Sequence, residues 1–266
     1  MFAFNSIWYT GYLLLMAVYL WLAIENKTKW AMIIGTIDVL WALAVHSFTG
    51  AIVGLISTRE ILTSPIKPFE FITAAVTSGT SLLIIAVYLT FKYTKRPLDN
   101  KIILSLGKIL SYVIIILLVM IFFDKLTHIY FPAREGVLFL FTGPYWWLFW
   151  VFQMGMGIVF PLIVLFNPKT NKNVKWVLAA CASVVIGVFG ERAAIVIPGT
   201  AQVQQLYPGE IQGQWGTAGV FPITIWETLL TVGTLAFVAL LFVLGLKYLD
   251  ILPKSTEPKG DAVKHE

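Results

Sequence analysis

The sequence predicts an all-α, polytopic membrane helix bundle of about seven transmembrane helices, N-terminus outside and C-terminus cytoplasmic. Three observations predict it. Of 266 residues, 58% are hydrophobic and only 12% are charged, against roughly 25% charged in an ordinary soluble domain. The apolar residues fall into stretches long enough to cross a bilayer, and the basic residues collect in alternate loops. Together these exclude a soluble enzyme, a disordered regulator and a nucleic-acid binder, so the net charge of +5 is read against a membrane.

Lipid offers no partner for an unpaired backbone group, so an apolar run of about 20 residues spans it as a helix. The first is 6–24; residues 1–5 carry no basic run, so it reads as a span rather than a signal peptide. The second, 30–57, and the fifth, 137–166, exceed the minimum, and Gly155, Gly157 and Pro161 predict that the fifth bends. The others are 69–91, 102–123, 174–198 and 222–247. Residues 1–252 thus form one membrane domain, and the polar segment 253–266 reads as a disordered cytoplasmic tail. The loop 199–220 is rich in Gln and Gly, with Glu210 its only charge, and a connection that long points to function.

Positive charge sets the orientation. Loops 25–29, 92–101 and 167–175 and the tail from Lys247 hold thirteen lysines and arginines, whereas the opposite side holds only Arg59, Lys67, Lys125 and Arg134. The thirteen mark the cytoplasmic side.

Charges left inside spans are costly and therefore candidates for function, with buried pairs that fix helix packing as the plainer alternative. Asp38 lies about 12 Å and His46 about 24 Å along the second span from the cytoplasmic side. Lys108 shares the depth of Asp38, so the two read either as a structural pair or as a proton pathway. The outer half holds more. Glu191 and Arg192 lie near the external end of the sixth span, and Glu227 about one and a half turns inside the seventh. Neighbours on a helix point about 100° apart, so Arg192 is expected to pair with Glu227. With His46 this delivers an imidazole, a guanidinium and carboxylates to one depth.

That set suits a quinone, which needs a hydrogen-bonding group at each carbonyl and a titratable relay to water. Tyr145, Trp146 and Trp147 would wall the ring, or else form the interfacial aromatic belt. Haem is the other cofactor to weigh: a di-haem anchor uses four histidines and the chain has three, leaving one haem between His46 and His128 as the conceivable version. The single cysteine, Cys181, excludes a disulfide framework, a zinc knuckle and an iron–sulfur cluster on this chain. Any redox metal is then a partner's.

Four segments carry a resemblance. TGYLLL at 10–15 precedes WALAVHSFTGAI at 41–52; FITAAVTSGTSLLII follows at 71–85; LDNKIILSLGKIL at 98–110 goes with TGPYWWLFW at 142–150; and GVFGERAAIVIPG at 187–199 leads to YPGEIQ and ITIWETLLTVG. In this order they resemble the polysulfide reductase membrane-subunit (NrfD-like) superfamily, most of all the longer branch found in sulfur-metabolism menaquinol complexes and alternative complex III. The resemblance implies a quinone-binding membrane anchor of a respiratory oxidoreductase in the cytoplasmic membrane of a prokaryote. It would bind menaquinone or another quinone without haem or an iron–sulfur cluster of its own. His46 and Arg192 fall on the family's intramembrane histidine and on the basic position of its E-[RK] segment. The implied partners are an iron–sulfur subunit, docked on loops 124–136 and 199–220, and a catalytic subunit, molybdopterin-dependent in this reading, both on the outer face. Longer members begin with additional helices, and the acidic residue that precedes their TGYLLL-like stretch has no counterpart here. That implies a second membrane subunit to complete the pocket, or a reduced pocket. The rival readings are a small transporter or channel, against which the lack of inverted repeats counts, and a purely structural anchor.

Overall fold

The computed structural model of the protein describes residues 2–56, 61–130, 134–201 and 224–249. Among these residues the helices are α1 (Phe2–Ile24), α2 (Thr28–Gly54), α3 (Lys67–Tyr93), α4 (Asn100–Tyr130), α5 (Arg134–Thr142), α6 (Leu148–Phe166), α7 (Val174–Ala201) and α8 (Ile225–Tyr248). All but the nine-residue α5 are long and apolar enough to cross a membrane, which gives the seven spans expected.

Several boundaries differ from the sequence reading, and three of the differences have a clear local reason. Segment 137–166 is two elements. Pro144 lacks an N–H and disfavours helix at the residue before it, and a Cβ on that residue, Gly143, would run into the Phe139 carbonyl oxygen. The bend expected further on takes the form of a π-helix over Leu148–Val159, and Pro161 lies in the first turn of the α-helix that follows. Next, α4 continues seven residues past 123 to Tyr130, so the expected docking loop 124–136 is helical over 124–130. Finally, α7 runs through Pro198 to Ala201; a proline this near a helix end removes a single hydrogen bond. The expected loop 199–220 therefore starts as helix. Its remainder, from residue 202, and the tail 253–266 lie outside the described residues.

The chain divides into two units, residues 1–14 with 37–221 and residues 15–36 with 222–266. In the first, α3, α4, α6 and α7 enclose an apolar core that includes Ile84, Ile114, Leu110, Ala180 and Val184. The crossing of α6 and α7 is built on glycine: a Cβ on Gly187 would collide with the backbone of Gly157. Small residues let helix backbones touch where lipid supplies no hydrophobic drive. Ser183, one turn earlier, donates to the Met156 carbonyl across the same crossing at 2.7 Å. The start of α1 is pinned to the end of α2 by Asn5 Nδ2 donating to Thr49 Oγ1 at 3.2 Å and Trp41 Nε1 donating to the Trp8 carbonyl at 3.0 Å.

In the second unit, Asn26 adopts a left-handed φ of 56° that closes the turn from α1 to α2, a conformation asparagine tolerates better than most residues. Lys27 Nζ lies 4.9 Å from the Trp21 ring centre. α8 buries none of its side chains; a helix that is apolar all round belongs in lipid.

Candidate functional site

The end of the first unit that carries the start of α1 holds a buried set of charges. Lys67 opens α3 at 1% exposure and donates to Glu70 Oε2 at 2.6 Å and Asp124 Oδ2 at 2.9 Å. Asp124, on α4 and fully buried, also receives Lys125 at 2.9 Å. One turn on, His128 Nδ1 lies 2.7 Å from the backbone carbonyl of Asp124. A carbonyl can only accept, so Nδ1 carries a proton, and in the neutral ring Nε2 is the acceptor; Nε2 is buried without a hydrogen-bond partner. Asp124 Oδ1 is unpartnered in the same way.

α7 brings the next two members. Glu191, one turn beyond Gly187, is 1% exposed, with Glu70, Lys67 and Lys125 among its electrostatic neighbours. Arg192, half-buried, stacks its guanidinium 3.6 Å from the centre of the Phe71 ring. Its Nη1 lies 3.5 Å from Glu191 Oε1, closer than the 100° step predicts, yet both atoms are buried without a hydrogen bond. Phe71 stands one turn after Lys67 on α3, so it joins the stacked guanidinium to the ion-pair set. α2 closes on the same turn of α3. A Cβ on Gly50 would meet Pro68 Cα and the Lys67 carbonyl, and His46 lies one turn earlier on that face of α2. His46 Nδ1 donates to the Ala42 carbonyl at 2.9 Å, which leaves Nε2 as its acceptor. Segment 61–66 lies over the cluster: Ile61 abuts Gly136 of α5, Leu62 abuts Gly199 of α7, and Ser64 is buried.

Three basic and three acidic side chains therefore share this site with His128: Lys67, Lys125, Arg192, Glu70, Asp124 and Glu191. Four of its buried atoms make no hydrogen bond: Asp124 Oδ1, His128 Nε2, and the ion-paired Glu191 Oε1 and Arg192 Nη1. A buried polar group without a partner is costly. Such a set can hold and hand on protons while a stacked cation and an aromatic face fix a planar ligand.

The remaining expected residues have local settings of their own. Glu227 is in the first turn of α8, in the second unit, where it forms a capping box with Thr224: its Oε2 accepts from Thr224 N at 3.0 Å and Thr224 Oγ1 accepts from its own N–H at 3.4 Å. The T-x-x-E spacing before an apolar run signals that cap in the sequence. Tyr145, Trp146 and Trp147 occupy the break between α5 and α6. Tyr145 is buried, Trp146 is 47% exposed, and Trp147 packs on Phe152, which covers Gly190 beside Glu191. Among the described residues no ion pair joins Asp38 to Lys108. Asp38 is buried with Oδ1 unpartnered and has Tyr12 as an electrostatic neighbour.

The family described as Polysulphide reductase, NrfD matches residues 1–204. The chain belongs to the NrfD family. It is similar to the Hdr-like menaquinol oxidoreductase integral membrane subunit of Archaeoglobus fulgidus, 33% identical over 95% of this chain and 66% of that protein. A selenate reductase subunit of Mesobacillus selenatarsenatis is 28% identical over 88% of this chain and 54% of its own length. A putative dimethyl sulfoxide reductase membrane subunit of Halobacterium salinarum is 28% identical over 79% and 51% respectively. The chain thus spans half to about two thirds of the length of these relatives. Family and helices together make this NrfD-family chain a multi-pass membrane protein.

Proposed function

We propose that the chain is the quinone-interacting membrane anchor of a respiratory oxidoreductase in the cytoplasmic membrane of a prokaryote. It exchanges electrons between a menaquinone pool and an iron–sulfur partner subunit, which a catalytic subunit on the outer face serves in turn. The observation that carries the reading is the cluster of four buried polar atoms without a hydrogen bond beside the Phe71 and Arg192 contact. The name of the Archaeoglobus relative adds menaquinol as the quinone.

The residues fit such a head group. A bound quinol supplies two electrons and two protons. Arg192 Nη1 is a donor suited to a carbonyl oxygen, and Phe71 gives that guanidinium a fixed plane. His46 Nε2 and Glu191 Oε1 are acceptors suited to hydroxyl protons. Protons taken there pass to His128 Nε2 and Asp124 Oδ1, the remaining unpartnered acceptors of the cluster. The 61–66 segment and α5 shield these groups from bulk water, and Asp38 stands on the inner part of a proton route. Glu227 is engaged in its own helix cap and is given no part in this scheme.

The full chain, purified in mild detergent, should bind a short-chain menaquinone in a titration. Arg192→Ala and His46→Ala should each weaken that binding at least about tenfold, the loss of one charged or shared hydrogen bond. Wild-type affinity in both folded variants would overturn the site.

A further inference from the structure

Away from the charge cluster, at the end of the first unit where α4 and α7 begin, lies a cavity of about 390 Å³ between α4, α6, α7 and the turn that joins the last two. Its walls include Leu104, Leu165, Phe166 and Val177, and two ammonium groups border it, Lys108 from α4 and Lys172 from the turn. Among the described residues neither lysine has a carboxylate within ion-pair distance. Lys108 is exposed at a point about 12 Å along α4 from Asn100, where a cation that faces hydrocarbon must reach the interface or meet an anion. A third lining group, Asn171, has its Oδ1 buried with no partner, so it calls for a ligand that donates a hydrogen bond.

We propose that this cavity binds the headgroup of an anionic membrane phospholipid. Lys108 and Lys172 hold the phosphate, Asn171 Oδ1 accepts from a headgroup hydroxyl, and the apolar walls take the first methylenes of an acyl chain. Paired cations without counter-charge select the anion, and the leucine, valine and phenylalanine lining selects a lipid over a free phosphate. The excess of lysine in the sequence assigns this end to the cytoplasmic leaflet, where basic pockets between helices meet acidic headgroups.

Native mass spectrometry of the full chain, released from detergent after titration with one probe at a time, tests this. Phosphatidylglycerol should stay bound, while phosphatidylcholine and inorganic phosphate should not. Each lysine contributes about fivefold at a membrane surface, so K108Q/K172Q should weaken phosphatidylglycerol retention about thirtyfold, whereas K108R/K172R should keep it. Should the double glutamine variant fail to fold, K172Q alone, on the turn, should show the fivefold loss. The proposal is overturned by undiminished retention in the folded glutamine variants, by equal retention of phosphatidylcholine, or by inorganic phosphate binding in place of lipid.

Discussion

Lys67 decides how the buried charges are tolerated. One ammonium at 1% exposure serves two carboxylates, Glu70 and Asp124. Removing one member of a buried set strands the others, at about 3–5 kcal/mol. Lys67→Met should therefore lower the apparent melting temperature of the detergent-purified protein sharply. The triple variant Lys67→Met, Glu70→Gln, Asp124→Asn should recover most of the loss, because no stranded charge remains. Equal melting of the single variant and wild type would show that the lysine is dispensable. Arg192 poses the complementary case. Its guanidinium Cζ lies 3.6 Å from the Phe71 ring centre, and a desolvated cation–π contact contributes about 2 kcal/mol. A lysine cannot reproduce the planar stack, so Arg192→Lys should weaken menaquinone binding at least about tenfold. Phe71→Leu should do the same, and the double variant should be little worse than either single one. Additive losses would mean that the stack does not act as a unit. His46, Glu191 and Arg192 could be picked out in the sequence because they are ionisable groups deep within apolar runs. Lys67, Glu70 and Asp124 could not, because polar residues at the ends of two apolar runs look like loop residues unless their mutual pairing is known, and His128 drew notice in the sequence only as a conceivable haem ligand.

At the scale of elements, small errors in helix ends account for those omissions. Starting α3 at 69 instead of Lys67, and ending α4 at 123 instead of Tyr130, left both lysines of the cluster and Asp124 in notional loops. Apolar runs fix the middle of a helix well, but where the run stops depends on whether charged residues find partners, and those partners lie 57 residues apart in the chain. Reading 137–166 as one span missed the break at Gly143 and Pro144, although glycine before proline signals one, and placed a bend where twelve residues form a π-helix. The crossing of α6 and α7 carries Glu191 toward the site. Gly187→Val should force those backbones apart, with a large drop in melting temperature and weaker menaquinone binding. Gly79→Ala, where a Cβ meets nothing within 4 Å, should change stability by no more than about 1 kcal/mol. A harmless Gly187→Val would show that the close approach is not needed. At α8, Thr224→Ala should cost about 1 kcal/mol through loss of the cap, and Glu227→Gln should leave menaquinone affinity within about twofold, in keeping with a weak, exposed capping interaction. A loss in Glu227→Gln as large as that in Arg192→Lys would place Glu227 in the site after all.

At the scale of the whole molecule, the buried cluster sharpens the orientation. Four basic residues stand against thirteen in the sequence, but two of the four, Lys67 and Lys125, are bound to Asp124 and do not act as free loop charge. Arg59 and Arg134 remain on that side. Since free loop lysine and arginine determine which side stays in the cytoplasm, the bias toward an external N-terminus is steeper than the raw count. It can be read directly on α3 and α4, whose last residues, Tyr93 and Tyr130, are 79% and 87% exposed at opposite ends of the first unit. Cys181 is buried, so the wild-type chain should give a low background with a membrane-impermeant maleimide. In intact spheroplasts Tyr130→Cys should label at once, and Tyr93→Cys only after the membrane is opened. The reverse pattern would turn the molecule over, placing the charge cluster on the cytoplasmic side and the lysine-lined cavity on the outer one. Adding a lysine pair next to Tyr130 should move part of the population toward that inverted pattern, whereas adding the pair next to Tyr93 should not. Such a shift would show that free loop charge, and not the buried ion pairs, sets the direction in which the seven spans thread the membrane.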